Sequence, residues 1–388
     1  MTENLERLIL HGRVSNKRGK YYVLQDKGGQ MTENIYQQLC ETMKARGGMY
    51  PGKDIPEFYE LTKVLFTPEE AGVSVALPRG FNTAEDIALA FGKSEAETES
   101  ILEKMAEKGL CMSGRKGETL VYAGIPFVPG IFEYQFMRGT LTDRDRKLAK
   151  LIRDYKAAVD GDRPAVQEPY PVMRVITVNR TIKAESHIHT YDQVKSYIDT
   201  YAPLAVSTCY CRHQARLIDE SLHCGNPDDV CLQFGRGAQF VIDRRMGKEI
   251  SREQAMEILD RAEAAGLVHC TSNRQEIDFL CNCCSCHCVI LRRALAQPKP
   301  GLAVNSGFQP LWDTDLCTLC ETCIERCPME AITMGVDAPE VSLDRCIGCG
   351  VCATGCPEEA ISMEERPGIP APPIDNKALR AAIKESMA

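Results

Sequence analysis

"CTLCETCIERCP", residues 317–328, places four cysteines at spacings of two, two and three intervening residues and closes with a proline. Twenty-nine positions on, "CIGCGVCATGCP", residues 346–357, repeats the spacing with Cys346, Cys349, Cys352 and Cys356. The motif is therefore an internal duplication. Three thiols separated by two residues each let a short loop wrap one metal centre, while the fourth is carried away from that loop. A pair of zinc sites is the competing reading, but zinc signatures usually pair two C-x2-C units across a longer gap.

Residues 312–366 resemble a bacterial-type two-cluster ferredoxin. All eight cysteine positions and both prolines match, and each half continues into "EAI" (Glu330 to Ile332, Glu359 to Ile361), where a short helix opened by proline is expected. The resemblance implies two 4Fe-4S clusters. In such ferredoxins the fourth cysteine of each run ligates the other cluster. That assigns Cys317, Cys320, Cys323 and Cys356 to the first cluster, and Cys346, Cys349, Cys352 and Cys327 to the second. Gly348, Gly350 and Gly355 give the second loop freedom to approach a cluster closely. The first loop instead carries Glu321 and Glu325, whose charge is expected to lower its centre's potential.

The 388-residue chain has room for two or three domains, with 44% hydrophobic and 26% charged residues as in an ordinary globular protein. A net charge of -8 offers no global attraction to nucleic acid or anionic membrane. No apolar run approaches a membrane span, and the N-terminus lacks a signal-peptide core, so a cytoplasmic protein is expected. Twenty cysteines in a reducing compartment point to metal ligation or redox chemistry rather than disulfides. Oxygen-sensitive clusters would suit an anaerobic source.

The expected fold class is α+β multidomain: an N-terminal winged-helix-like domain, a central cysteine-rich α/β or α+β domain, and a C-terminal ferredoxin-like dicluster domain. Residues 1–53 form an N-terminal arm or extension. "MTEN" recurs at 1–4 and 31–34, leaving both a start at Met31 and a genuine arm open. Within a domain of residues 54–140, residues 54–123 read as helices capped at Thr67, Thr83 and Ser94, followed by a hairpin around the turn "SGRKG"; that pattern resembles a winged helix-turn-helix domain. Its candidate recognition helix carries Glu95, Glu97, Glu99, Glu103 and Glu107 against Lys104 and Lys108, a balance repelled by phosphates. Arg115 and Lys116 on the wing are too few to reverse it, which argues against nucleic acid as a partner. Segments 160–173 and 296–310 read as linkers, and 367–388 as a tail ending in a helix.

The middle domain, 174–295, holds ten thiols within eighty residues. Cys209, Cys211, Cys224 and Cys231 are the leading set for a third site, either a further Fe-S cluster or zinc, because Gly225 and Pro227 supply a turn. Cys281, Cys283, Cys284, Cys286 and Cys288 are further candidates; an extended "CSCHC" would put its three cysteines on one face. His213, His223 and His287 lie beside these thiols as ligands, proton donors or plain hydrogen-bonding groups. Cys40 and Cys111 read as core residues, Cys270 as either a member of the thiol constellation or a buried inert cysteine, and Trp312 as packing for the ferredoxin unit.

No G-x-G-x-x-G or G-x-x-x-x-G-K-[ST] occurs in a strand-turn-helix context. The reading is an iron-sulfur electron-transfer protein, or the reductase component of one, serving a redox protein as donor or acceptor. The alternative is a redox-sensing winged-helix DNA-binding regulator.

Overall fold

The computed structural model describes residues 14–15, 21–22, 30–161, 170–182 and 193–386. Of the expected arm 1–53, residues 1–13, 16–20 and 23–29 lie outside the described residues, as does much of the 160–173 crossing. The chain divides into two compact units, residues 1–135 with 150–160, and residues 136–149 with 161–388.

The first unit contains a small antiparallel pairing of β1 (Val14–Ser15) with β2 (Tyr21–Tyr22) and then the helices Gln30–Arg46, Pro56–Leu65, Pro68–Ala76, Ala84–Phe91 and Glu95–Glu107. Thr67, Thr83 and Ser94 each accept from the backbone N–H three residues on, and Glu70, Asp86 and Glu97 reach back to the cap residue. These reciprocal bonds satisfy the otherwise orphaned amides of a helix start. The hairpin follows as β3 (Cys111–Lys116) and β4 (Thr119–Gly124). Its turn is Gly117–Glu118 rather than "SGRKG": a two-residue turn favours positive φ, and Gly117 has φ 65°. Phe58, Phe127, Phe132 and Tyr155 form the aromatic core, with Phe127 stacked on Phe132 at 4.7 Å. Cys40 and Cys111 are buried.

The second unit is built on a six-stranded sheet of β5 (Met173–Val175), β6 (Leu204–Thr208), β7 (Asp229–Phe234), β8 (Lys248–Ile250), β9 (Val268–Ser272) and β10 (Phe279–Cys283), in the order β5-β9-β10-β7-β6-β8. Every pairing is antiparallel, so of the two expected classes this domain is α+β. Val230, Leu232 and Phe234 of β7 pack on Ile258, Leu259 and Ala262 of the helix Arg252–Ala264. Ser251 and Gln254 close a capping box at that helix's start.

The duplicated thiol loops follow, framed by β11 (Phe308–Trp312) paired with β14 (Ile361–Glu365), and by β12 (Ile332–Met334) paired with β13 (Pro339–Val341). The two halves repeat in backbone as well as sequence. Leu319, Glu321 and Glu330 have φ of 56°, 62° and 51°; their counterparts Gly348, Gly350 and Glu359 have 68°, 78° and 50°. The expected helix after each proline is instead a turn, because left-handed Glu330 and Glu359 swing the next N–H onto a cysteine: Ala331 N to Cys327 Sγ and Ala360 N to Cys356 Sγ are both 3.3 Å.

Segment 296–310 is ordered, not a loose linker. It contains the short helix Pro300–Ala303 and the start of β11, and Ser306 N donates to the Ile347 carbonyl at 3.1 Å. This docking explains why only the second loop is glycine-rich. A Cβ at Gly348 would collide with the Phe308 carbonyl oxygen and the Ser306 hydroxyl, and one at Gly350 would press on Thr181 and Val178. At the matching positions Leu319 and Glu321 are exposed, so side chains fit there at the cost of a left-handed backbone. Glu321→Gly should therefore raise stability by about 0.5 to 1 kcal/mol. Gly348→Ala should lower it by more than about 1 kcal/mol, as read by thermal unfolding under anaerobic conditions.

Candidate metal centres

Cys317, Cys320, Cys323 and Cys356 line one cavity, together with Trp312, Leu319, Glu321 and Glu358. Cys346, Cys349, Cys352 and Cys327 line a second, whose other walls are mainly apolar, including Pro310, Ile332, Ile347 and Met363. Each cavity thus takes three cysteines from one loop and the fourth from the other.

The surroundings suit a sulfur-rich inorganic group. Burial pushes the thiols of Cys346, Cys349 and Cys352 up, and neighbouring thiols push the same way. Such a set is costly as bare thiolates and becomes tolerable around a cationic centre. Backbone N–H groups point at the sulfurs, from Gly348 to Cys346, Val351 to Cys349 and Ala353 to Cys352. At the first cavity the Trp312 indole N–H is buried without an oxygen or nitrogen partner. Burial raises the Cys323 thiol, and the Trp312 N–H opposes that rise. Trp312 was expected only to pack; it also presents a donor to a candidate ligand.

The two cavities differ in exposure. Cys320 is exposed, whereas Cys346 and Cys352 are buried. The second loop is held against the central sheet's first segment: Thr177 and Ser306 hydroxyls lie 2.5 and 2.6 Å from the Gly348 carbonyl oxygen, and Val178 N reaches the Cys349 carbonyl at 3.4 Å. Arg326 reaches across Gly355 to the carbonyls of Val351 and Glu263 at 3.4 and 3.3 Å. A single apolar cluster then joins Cys346, Ile347 and Val351 to the sheet residues Val268, Cys270 and Cys283, and to Cys288.

The central cysteines fall into two groups. In the first, sulfur contacts run from Cys209 to Cys211, Cys211 to Cys288, Cys288 to Cys283, Cys283 to Cys270 and Cys281, and Cys281 to Cys231. The Cys283 and Cys288 sulfurs are 3.1 Å apart, and Gln233 Nε2 donates to Cys231 Sγ at 3.1 Å. Alternation along β10 gives Cys281 and Cys283 a common face. In the second group are Cys224, Cys284, Cys286 and His287, whose ligand atoms all lie within 4.8 Å of one another. The leading set from sequence is thereby divided: Cys209, Cys211 and Cys231 share the row, while Cys224 sits with the second segment. "CSCHC" is not extended, because β10 ends at Cys283 and the Cys288 N–H turns back to the Cys284 carbonyl at 3.2 Å.

Arg212 was missed by sequence reasoning. It is 3% exposed, donates to the Pro227 and Asn282 carbonyls at 2.7 and 3.2 Å, and places Nη1 3.8 Å from Cys284 Sγ. Surrounding thiols favour its charged form, which is a fixed cation among the cysteines. A lone basic residue inside "CYCRH" was the available signal. His213 has a structural role, with Nε2–H donating to the Thr140 carbonyl at 2.8 Å and Nδ1 accepting from Arg216 at 3.2 Å. His223 is exposed.

Residues 309–365 match the family of 4Fe-4S dicluster domains. No curated protein and no solved structure matches the chain. The segment is thus ferredoxin-type and iron-sulfur in character. Among the described residues no helix is long and apolar enough to cross a membrane. Trp312→Phe removes a donor facing one cavity only, so it should lower the midpoint potential of a cluster bound there and leave that of a cluster bound in the other cavity unmoved in an anaerobic titration.

Proposed function

We propose that the chain is an iron-sulfur electron-transfer protein holding two 4Fe-4S clusters, with Cys317, Cys320, Cys323 and Cys356 ligating the first and Cys346, Cys349, Cys352 and Cys327 the second. The observation carrying this reading is that each four-cysteine set lines its own cavity within a segment matching the dicluster family. When bound, the clusters would supply one-electron redox chemistry, leaving the protein to set potential, access and direction.

The first centre is the entry point. Cys320 is exposed, and Leu316 and Leu319 beside it are 51% and 42% exposed, an apolar rim suited to a redox protein partner. Glu321 and Glu358 at the same cavity disfavour added negative charge there. The second centre leads inward, because its ligand Cys346 shares an apolar cluster with Cys270, Cys283 and Cys288 of the central domain. A reductase component is the form this takes if the thiol-rich domain passes the electron to a substrate.

The first unit supports a winged-helix-like reading in its helices and hairpin, with a docking rather than DNA-reading role. Lys108 is engaged by Glu70 at 2.7 Å, while Glu95 and Glu107 face solvent. Binding to mixed duplex DNA should show no salt-dependent component in either redox state.

The ligand exchange between loops has a direct genetic test. Cys356→Ser should perturb the same redox centre as Cys320→Ser, and Cys327→Ser the same as Cys349→Ser, in EPR of the reduced protein. Cys356→Ser sharing its phenotype with Cys349→Ser would refute the crossed assignment.

A further inference from the structure

Cys224, Cys284, Cys286 and His287 are the one group of metal-ligating side chains among the described residues whose donor atoms all converge within 4.8 Å. Convergence distinguishes this site from the two cavities described above. Cysteines holding an iron-sulfur cube each bind a different iron and stand around a space. Donors to one ion crowd together: with Zn–S near 2.3 Å and Zn–N near 2.0 Å, tetrahedral geometry puts them about 3.5 to 3.8 Å apart. Cys284 Sγ and His287 Nδ1 are 3.9 Å apart.

We infer that these four residues hold a single zinc ion in a closed structural site. Three thiolates and an imidazole complete a four-coordinate shell, the donor set of structural zinc. Supporting contacts are in place. Asn226 Nδ2 donates to Cys224 Sγ at 3.3 Å, and a backbone hydrogen bond with Leu222 orients the His287 ring. Three thiolates around a divalent ion leave one net negative charge, and the Arg212 guanidinium at 3.8 Å from Cys284 Sγ offsets it. Cys284 is buried and Cys286 exposed, so an ion can enter from solvent and still be enclosed on one side.

The site joins two segments far apart in sequence. Cys224 stands on the loop after the helix Tyr210–Ile218, and the other three ligands stand on the turn that ends β10. The ion would pin that loop beside the thiol row without belonging to it.

The test is elemental analysis and zinc K-edge absorption of the full chain, produced in zinc-supplemented medium and purified anaerobically. The expected result is about one zinc per chain in a shell of three sulfurs and one nitrogen. Cys286→Ser and His287→Ala should each lower the zinc content several-fold and leave iron unchanged. His287→Cys should retain zinc with a four-sulfur shell, which shows that the loss in His287→Ala is not misfolding. Absence of zinc from the parent protein, zinc undiminished in both loss variants, or iron lost in its place would each overturn the assignment. Because iron is counted separately, failure here is distinguishable from failure of the electron-transfer reading.

Discussion

The Gly348 carbonyl oxygen, with the hydroxyls of Thr177 and Ser306 at 2.5 and 2.6 Å, fixes the relation between the second unit's two chemical parts. Hydrogen bonds buried in this way are costly to leave unmade, so the thiol loop that carries them has little freedom to detach. Gly348 can be nothing larger, because the Phe308 carbonyl oxygen and the Ser306 hydroxyl fill the place of a side chain. The iron-sulfur segment is therefore built into the fold as the continuation of the central sheet's core, rather than hung from it on a linker.

That placement gives the two proposed centres different work. One set of cysteines opens to solvent through Cys320 and is bordered by Glu321 and Glu358; the other is enclosed by apolar side chains and shares a cluster with Cys270, Cys283 and Cys288. Exposure and charge are the levers by which proteins set cluster potentials, and here they are distributed unequally across a duplicated backbone. The central thiols face the same problem of buried negative charge. They meet it with Arg212, a guanidinium that stays protonated at any physiological pH.

Much of this was legible in the sequence where the signal is local. A capping Ser or Thr announced the helix starts at 67, 83, 94 and 251, with Glu97 and Gln254 three residues on at the last two, and cysteine spacing announced the duplicated loops. The resemblance implied crossed sets of cysteines, and each of the two cavities is lined by one such set. What escaped was set by tertiary contact. Beyond the close backbone approach to a cluster expected of the second loop's glycines, Gly348 and Gly350 make room for neighbouring protein. Cys224 was grouped with its sequence neighbours, whereas the turn after β10 brings Cys284, Cys286 and His287 to it from sixty residues away. The helix Asp143–Gly161 was overlooked although Leu148, Ala149, Ile152, Tyr155 and Val159 recur at helical spacing and are buried.

EPR of the anaerobically purified, fully reduced protein, read together with its iron and acid-labile sulfide content, tests the two-cluster assignment most directly. Two cubes sharing one duplicated loop pair predict about eight iron and eight sulfide per chain and a broadened spectrum from two interacting spins. A colourless protein without labile sulfide, or about four iron with one isolated spin signal, would contradict it.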